Sequence, residues 1–296
     1  MTQRLVIAGI GEVRWDVFPD AARFGGAPAN FASHSAALGA EAWMVSAVGL
    51  DNLGASAIDT LEHAGVGCET VARDGDHATG QVLVALDSSG RANYTFADDT
   101  AWDHIEWTPR LNSLAVRCDA VCFGTLGQRS PISRATIQRF VRTTPEQSLR
   151  MFDVNLRQQF YDADTIRTSL EIASAVKLND EELPIVARLC DIDRGTPRQM
   201  LRALMERYSL RLGALTRGPE GALLMTGDEE STCGAIPVKV VDTVGAGDAF
   251  TATIVPDFLR GIPLAEVNAH ANSIASFVCS QPGAVMKLPE YLVNRS

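Results

Sequence analysis

The sequence lacks several features that define whole classes of protein. No apolar run approaches the length of about 18 residues that a membrane-spanning helix needs. The six cysteines contain no C-x-x-C pair, and the five histidines lack the spacing of a zinc site. The short apolar stretch at 5–10 is not followed by a small-residue cleavage site. These absences predict a cytoplasmic protein with reduced cysteines, no membrane partner and no structural zinc.

Positive charge is also scarce, since 26 lysines and arginines stand against 36 aspartates and glutamates, a net charge of -10. A surface of this sign repels phosphate backbones, which argues against nucleic-acid binding, although a local site can still attract a small anion. With 46% hydrophobic and 21% charged residues, the composition excludes long disorder, collagen and coiled coil. The chain has no low-complexity linker and no repeat of fixed period, and we predict a single domain over residues 1–296.

Short apolar runs alternate with amphipathic stretches along most of the chain. This alternation predicts an α/β fold with a doubly wound, mostly parallel sheet and helices on both of its faces. Ligands of such sheets bind at the carboxyl ends of the strands, so functional loops should follow the runs directly. Strands are predicted at 5–10, 42–48, 120–123, 149–152, 175–178, 212–216 and the β-rich 236–241, and helices at 248–260 and 264–279.

One region breaks this rhythm. Residues 81–86 and 91–96 alternate with period 2 around the turn residues 88–90, a pattern typical of a β-hairpin. An antiparallel excursion inside an α/β chain is a candidate lid, and we predict a β lid formed by about residues 12–24 and 71–100. Because a two-stranded ribbon alone is marginal in water, we also predict a homodimer through this lid.

The clearest chemical signal is the segment DTVGAGDAF at 242–250. Gly245 and Gly247 allow a tight turn, and consecutive amides at a helix start form a cradle for an anion, most naturally a phosphate. Asp248 falls in the first turn of that helix and faces the same cavity. As an isolated motif, the segment is equally typical of a helix start with a capping aspartate.

A second glycine turn lies in the segment FGGAPANFA at 24–32. It permits close approach of a ligand to the backbone, and Asn30 can both donate and accept hydrogen bonds, as polyol recognition requires. In their order and spacing, the two segments resemble the two motif regions of the ribokinase/pfkB family of carbohydrate kinases. The resemblance covers nearly the whole chain and includes the N-x-x-E motif within KLNDEE at 177–182, the loop TRGPEG at 216–221 and the D-x-N-x-R motif of DVNLR at 153–157.

This resemblance implies ATP-dependent phosphoryl transfer to an alcohol, a reaction that needs positioned reactants, charge neutralisation and a base. Asp248 falls on the position of the family's catalytic base. The amides of Gly245, Ala246 and Gly247 fall on its anion hole, where they would stabilise charge on the transferring phosphoryl group.

Further ligand sites are implied in the same way. Glu182, with Asn179, matches the position that arranges Mg²⁺ and its waters, an environment rich in oxygen. Many family members also hold a monovalent cation, which would be K⁺ near the backbone oxygens of Asp242, Thr243 and Gly283. The implied sugar contacts are Asp16, Gly26, Asn30, Arg157 and Asp248, and the implied nucleotide contacts are Asn179, Thr216, Gly218, Gly221 and Asn272.

Two residues depart from the family's usual pattern. Pro256 predicts a local bend about two turns into the helix that follows Asp248. Arg217 replaces a neutral residue before Gly218, and it either contacts a phosphate or points to solvent.

The substrate is predicted from the segments around the sugar site. The run WDVFP at 15–19 and the D-x-N-x-R motif look most like fructokinases, so fructose is the first expectation, phosphorylated at a primary hydroxyl. Ribose and 2-keto-3-deoxygluconate are the alternatives within the family. A non-catalytic sugar- or nucleotide-binding regulator is disfavoured by the retained Asp248. An NAD-dependent oxidoreductase, suggested by the residues 9–11, is disfavoured by the missing third glycine.

Overall fold

The computed structural model describes residues 4–19, 21–86, 92–192 and 194–293. The predicted hairpin turn at 88–90 lies outside the described residues. Strands in the described ranges are β1 (Val6–Ile10), β2 (Arg14–Val17), β3 (Ala22–Gly25), β4 (Glu41–Gly49), β5 (Val71–Asp74), β6 (Gly80–Leu86), β7 (Ala92–Phe96), β8 (Ala120–Phe123), β9 (Leu149–Asp153), β10 (Ala175–Asn179), β11 (Leu212–Thr216), β12 (Ala222–Met225) and β13 (Glu230–Cys233).

The helices fill most of the sequence between these strands. They are α1 (Ala27–Ala37), α2 (Asn52–His63), α3 (Pro109–Ala115), α4 (Pro131–Thr143), α5 (Ala163–Ile172), α6 (Glu182–Leu189), α7 (Pro197–Arg207), α8 (Ala246–Leu259), α9 (Leu264–Cys279) and α10 (Glu290–Val293). Among the described residues, none of these helices combines the length and the apolar character needed to cross a membrane.

A large sheet forms the centre of the molecule, with the strand order β13-β12-β11-β10-β9-β8-β1-β4-β5. The strands from β11 through β5 pair in parallel, and β12 and β13 extend one edge in antiparallel pairing. The prediction of a doubly wound, mostly parallel α/β sheet is therefore confirmed.

Both faces of the large sheet are covered by helices. Successive side chains of a strand point to opposite faces, and in β1 Ile7 packs in one apolar cluster while Ile10 packs in another. The first cluster includes Phe31 of α1 and Phe250 of α8. The second includes Phe140 of α4, together with residues of α3, α5, α6 and α7. Burial on both faces explains why the parallel strands are apolar throughout.

A separate small sheet has the strand order β3-β2-β6-β7. Its strands β6 and β7 pair antiparallel, as the period-2 pattern predicts, and β2 pairs in parallel with β6. The predicted lid boundary at 71 was wrong, because β5 pairs with β4 and extends the large sheet. One face of the small sheet carries Asp16, Val82 and Phe96, which lie opposite one another in the register, and Arg14, two residues before Asp16 on the same strand.

The segment 236–241 does not form the predicted strand. Its β-branched residues favour an extended chain, but the backbone N–H groups of Val241 and Asp242 donate to the carbonyl of Cys279 at the end of α9, at 2.9 and 3.3 Å. Val240 and Val241 are more than half exposed. The adjoining α8 contains Pro256 and continues to Leu259, so the proline does not end the helix.

Candidate active site

A glycine turn opens α8 and shapes the local backbone. Gly245 has a φ of 79°, and a Cβ at this position would lie 2.8 Å from the Cα of Ala284. A Cβ on Gly247 would lie 2.9 Å from Nζ of Lys177. The first glycine allows the left-handed turn, and the second leaves room for a lysine beside the backbone of the helix start.

The second glycine turn meets the first through Asn30. Gly26 has a φ of 117°, and a Cβ there would lie 2.3 Å from the carbonyl oxygen of Glu12, so glycine alone allows α1 to begin at this point. From α1, Asn30 Nδ2 donates to Asp248 Oδ2 at 2.8 Å, joining residues 218 positions apart. Among the described residues, Asn30 Oδ1 and Glu12 Oε2 are buried without a hydrogen-bond partner. Both are acceptors that sugar hydroxyls can satisfy.

The carboxyl group of Asp248 has a raised pKa. Burial raises its pKa, and the nearby Asp153 carboxylate adds to this, to a value of about 6. The hydrogen bond from Asn30 and the charges of Lys177 and Arg157 act in the opposite direction because they favour the ionised form. A carboxylate with this pKa is a stronger base than an ordinary aspartate and is still mostly ionised at pH 7.

This pKa predicts the pH dependence of catalysis. If Asp248 is the base, kcat/KM falls as the pH drops through about 6, because protonation removes the acceptor for the alcohol proton. Asn30→Leu deletes a hydrogen bond that favours the ionised form, so its acid limb moves to higher pH and its KM for sugar rises. The measurement is kcat/KM between about pH 5 and about pH 8. The exposed Asn112→Leu on α3 is the matched control, and an acid limb unmoved by Asn30→Leu contradicts the assignment.

A buried lysine, for which the sequence suggested no role, lies beside the glycine turn. Lys177 Nζ is 3.1 Å from Asp153 Oδ1, and both side chains are less than a tenth exposed. Thr251 of α8 donates to the other oxygen of Asp153 at 2.8 Å. Burial lowers the pKa of Lys177, but the carboxylates of Asp153, Glu182 and Asp248 together raise it above its ordinary value. The site therefore contains a permanent cation next to the start of α8.

Glu182 lies on the far side of this lysine, at the start of α6. Its Oε1 accepts from the backbone N–H of Leu156 and its Oε2 from that of Asn179, both at 2.9 Å. The Asn179 side chain accepts in return from the Glu182 N–H at 2.8 Å. Burial raises the pKa of Glu182, and the charge of Lys177 opposes this. Each carboxylate oxygen keeps a further lone pair for a water molecule.

Charged side chains of the small sheet complete the other side of the site. Asp16 forms an ion pair with Arg14, two residues earlier on the same face of β2. Burial lowers the pKa of Arg14 to about 10. The Arg14 guanidinium lies 5.6 Å from the Phe96 ring centre, and its Nε has no hydrogen-bond partner within the described ranges. Arg157 is exposed after β9, and its charge acts on both Arg14 and Asp248.

The predicted nucleotide loop follows β11. Thr216 ends this strand, and Gly218 and Gly221 adopt φ values of 51° and 81°. A Cβ on Gly221 would lie 2.0 Å from the carbonyl oxygen of Cys233, so only glycine fits there. Arg217 does not project freely into solvent, because it bonds to the carbonyl of Glu220 at 3.4 Å. A cavity of about 750 Å³ opens beside this loop, lined in part by Asp180, Leu215, Arg217, Glu220 and Thr232.

Asn272 lies in α9, where its hydrogen bonds lead through Asn268 to β12 and β13. Its amide donates to the carbonyl and side-chain oxygens of Asn268, one turn earlier in α9, at 2.8 and 2.9 Å. Asn268 in turn donates to the backbone of Ala222 and Ser231. No hydrogen bond in the described part of the chain joins Asn272 to the predicted nucleotide loop.

The predicted cation residues connect two loops. Asp242 Oδ1 accepts from the Val244 N–H at 3.0 Å, and Oδ2 accepts from the Gly283 N–H at 3.3 Å. The Thr243 carbonyl accepts from the Ala246 N–H at 3.4 Å. The three residues therefore lie together at the entrance to the glycine turn, on one side of the start of α8.

Comparison with known proteins identifies the family. The sequence profile of the pfkB family carbohydrate kinases matches residues 19–290. The chain belongs to this family. The resemblance drawn from the glycine turns is thereby confirmed, and this carbohydrate kinase has the fold of its relatives.

Individual relatives of the kinase differ in their substrates. It is 30% identical over 277 residues to a fructokinase from Klebsiella pneumoniae, covering 90% of this chain and 88% of that one. It is 26% identical to an aminoimidazole riboside kinase from Salmonella typhimurium, covering 95% and 91%. The crystal structure of an uncharacterized sugar kinase from Pyrococcus horikoshii in complex with ATP superposes with a TM-score of 0.81, at 26% identity and 96% coverage of both chains.

Sequence reasoning missed four charged residues of the kinase's site. Lys177 had a signal, because a lysine within the apolar strand β10 is unusual and needs a buried partner. Asp153 lay inside a motif that was noted only for its other residues. Glu12 and Arg14 gave no signal, because their burial depends on how the small sheet packs.

Proposed function

We propose that this kinase transfers the γ-phosphoryl group of ATP to a primary hydroxyl of a ketohexose, with fructose as the substrate. The observation that carries the proposal is the 2.8 Å hydrogen bond from Asn30 to Asp248. It links a side chain suited to a polyol with a base beside a row of helix-start amides. A sugar hydroxyl bound to Asn30 Oδ1 would lie next to the group that accepts its proton.

The remaining residues of the site support phosphoryl transfer. The amides of Gly245, Ala246 and Gly247 stand at the positive end of α8, where they stabilise negative charge on a phosphoryl oxygen. Lys177 adds a full positive charge beside Gly247. Asp248 accepts the hydroxyl proton as the new P–O bond forms and the bond to the leaving phosphate breaks.

The acidic residues fit a magnesium ion. Asp153, Glu182 and Asp248 bring three carboxylates around one lysine, so the site carries excess negative charge that a divalent cation offsets. Glu182 is the residue that would hold Mg²⁺, through waters bound to its remaining lone pairs. When bound, Mg²⁺ neutralises charge on the phosphates of ATP.

The choice of fructose has support from similarity. The WDVFP run that resembles fructokinases lies in and after β2, and Asp16 of this run is on the same face as Arg14. The similarity to the Klebsiella pneumoniae fructokinase extends over most of both chains. Asp16 and Asn30 would hold ring hydroxyls while Asp248 faces a primary one.

One observation favours a second candidate, the sugar acid 2-keto-3-deoxygluconate. Arg14 is buried on the same face of the small sheet as Asp16, its Nε has no hydrogen-bond partner among the described residues, and the charge of Arg157 acts on it. Guanidinium groups recognise carboxylates through paired hydrogen bonds. A substrate carboxylate would accept from the Arg14 N–H groups that the pair with Asp16 leaves over, and a neutral ketose has no such group.

Steady-state kinetics with Mg·ATP distinguishes these substrates. We expect kcat/KM for fructose to exceed that for ribose and 2-keto-3-deoxygluconate by at least about tenfold, equivalent to about 1.4 kcal/mol in transition-state binding. A tenfold preference for either competitor would overturn fructose as the substrate, but it would leave the assignment of sugar kinase activity unchanged. Sugar binding without ADP release favours a regulator. If 2-keto-3-deoxygluconate has the highest kcat/KM, Arg14→Gln should abolish this preference. The same substitution at the exposed Arg198 should leave the preference unchanged.

Two features stay predictions. K⁺ would bind beside Asp242, Thr243 and Gly283, which the structure holds in adjacent loops. Dimerisation would use the outer face of the small sheet, where Leu83 is 53% exposed.

A further inference from the structure

Three side chains with metal-binding atoms meet where the small sheet joins the rest of the molecule. His77 lies in the connection between β5 and β6, on the way into the small sheet. Asp99 and His104 lie after β7, on the way out of it. The candidate ligands therefore come from the two chain segments that flank the β6–β7 pair, well separated in sequence from the glycine turn of the active site.

Their geometry suits a single ion. One ligand atom from each residue lies within 4.8 Å of the others. His104 Nε2 is 2.7 Å from Asp99 Oδ1, and His77 Nε2 is 3.9 Å from the same oxygen. The 3.9 Å gap exceeds a hydrogen bond. Zinc bonds of about 2.0–2.2 Å would require the two histidine side chains to rotate until both Nε2 lone pairs point at one centre beside the Asp99 carboxylate.

The two imidazole rings of His77 and His104 stack on each other. Their centres lie 3.5 Å apart with planes inclined by only 12°. Both Nε2 atoms lie within 3.9 Å of the same Asp99 oxygen, so this carboxylate is a ligand that the two histidines can share.

Hydrogen bonds with Asp74 fix the orientation of His77. Its Nδ1 lies 2.9 Å from Asp74 Oδ2, and Asp74 Oδ1 accepts from the backbone N–H groups of Asp76 and His77 at 2.8 and 3.0 Å. A carboxylate that accepts from one ring nitrogen leaves the lone pair of the other for a metal, an outer-shell arrangement typical of histidine ligands. Because Asp74 ends β5, this support is anchored in the large sheet.

We propose that His77, Asp99 and His104 bind a divalent transition metal, with Zn²⁺ as the ion that best matches two imidazoles and one carboxylate. The donor set disfavours Mg²⁺ and K⁺, which prefer oxygen ligands. Bound metal would join the chain entering the small sheet to the chain leaving it. The spacing of the histidines in the sequence gives no sign of this site, because the strand pair β6–β7 separates the ligands.

Zinc binding by the full-length chain tests the proposal. After chelator treatment, reloading with Zn²⁺ and dialysis, we expect one tightly bound Zn²⁺ per chain, measured by elemental analysis and by competition with a chromophoric chelator. His77→Gln and His104→Gln should each weaken the affinity by at least about 10-fold, and Asp74→Asn by about 10–100-fold. His63→Gln is the matched control, since its ring bonds to the carbonyl of Asp59 in α2 and lies outside the cluster.

Cobalt substitution distinguishes this site from cysteine ligation and does not depend on activity. Co²⁺ bound to nitrogen and oxygen should give visible bands without the intense thiolate charge-transfer band that Cys68, Cys233 or Cys279 would produce. A raised melting temperature with Zn²⁺ in wild type but not in the His77→Gln/His104→Gln double variant supports the site, and a cooperative melting transition of the variant near the temperature of zinc-free wild type shows that it folds. Unchanged zinc stoichiometry and affinity in that folded double variant overturn it.

Discussion

The Asp248→Asn variant is expected to turn over about 10²–10⁴-fold more slowly than wild type at saturating sugar and ATP. Asparagine keeps the shape of the side chain, but it cannot take the proton of the substrate hydroxyl. The loss should appear in kcat, because the base acts in the transition state, while nucleotide affinity stays near that of wild type. The measurement combines steady-state ADP release with nucleotide titration of the same preparation.

Controls separate loss of the base from loss of the fold. The exposed Asp228→Asn is the matched control and should retain full activity. Asp248→Asn should also melt at or above the wild-type temperature, because it removes a buried carboxylate from a site that already contains Asp153. A folded Asp248→Asn variant with near-wild-type kcat would show that another group accepts the proton.

Lys177→Met is expected to impair both stability and catalysis. It leaves the buried Asp153 carboxylate without its cation, which costs about 3–5 kcal/mol in the free energy of unfolding. Since Lys177 also lies beside Gly247, loss of its charge should lower kcat by about 10²–10³-fold. Urea unfolding and steady-state kinetics measure the two effects on one protein.

A double variant distinguishes an ion pair from a packing defect. In Lys177→Met/Asp153→Asn both charges are gone, and asparagine can still accept from Thr251, so most of the lost stability should return. Activity should not return, because the phosphoryl site still lacks its cation. In Lys177→Met alone, the acid limb of kcat/KM should move to higher pH, since Lys177 lowers the pKa of Asp248. Full recovery of activity in the double variant would exclude a role for Lys177 in transfer.

Most of the large sheet could be predicted because its signals are local. The alternation of apolar runs predicted strands close to β4 and β11, and the 3.6-residue pattern gave the bounds of α9. The prediction at 236–241 failed for an equally physical reason. β-branched residues favour an extended backbone, but a strand needs a neighbour, and here the backbone N–H groups of Val241 and Asp242 pair with the end of a helix.

The small sheet shows which structural features local sequence patterns cannot predict. Its hairpin was predictable from alternation, but residues 71–74 have the same extended character and belong to the large sheet. Pairing in parallel with β4 requires a long connection, and nothing within a four-residue segment specifies its partner. Similarly, Arg14 and Asp16 are ordinary charged residues in the sequence, and only the packing of β2 buries the arginine.

The sequence by itself determined the family, the alternation of strands and helices and the glycine turns, because hydrophobic periodicity and the torsions that glycine allows at Gly26, Gly221 and Gly245 are encoded in short segments. Only the tertiary structure decided which charges meet. The Asn30–Asp248 bond, the Lys177–Asp153 pair and the His77–Asp99–His104 cluster each join residues from different elements. Such contacts depend on strand order and helix packing, and they set the pKa values and ligand geometry on which the proposed chemistry rests.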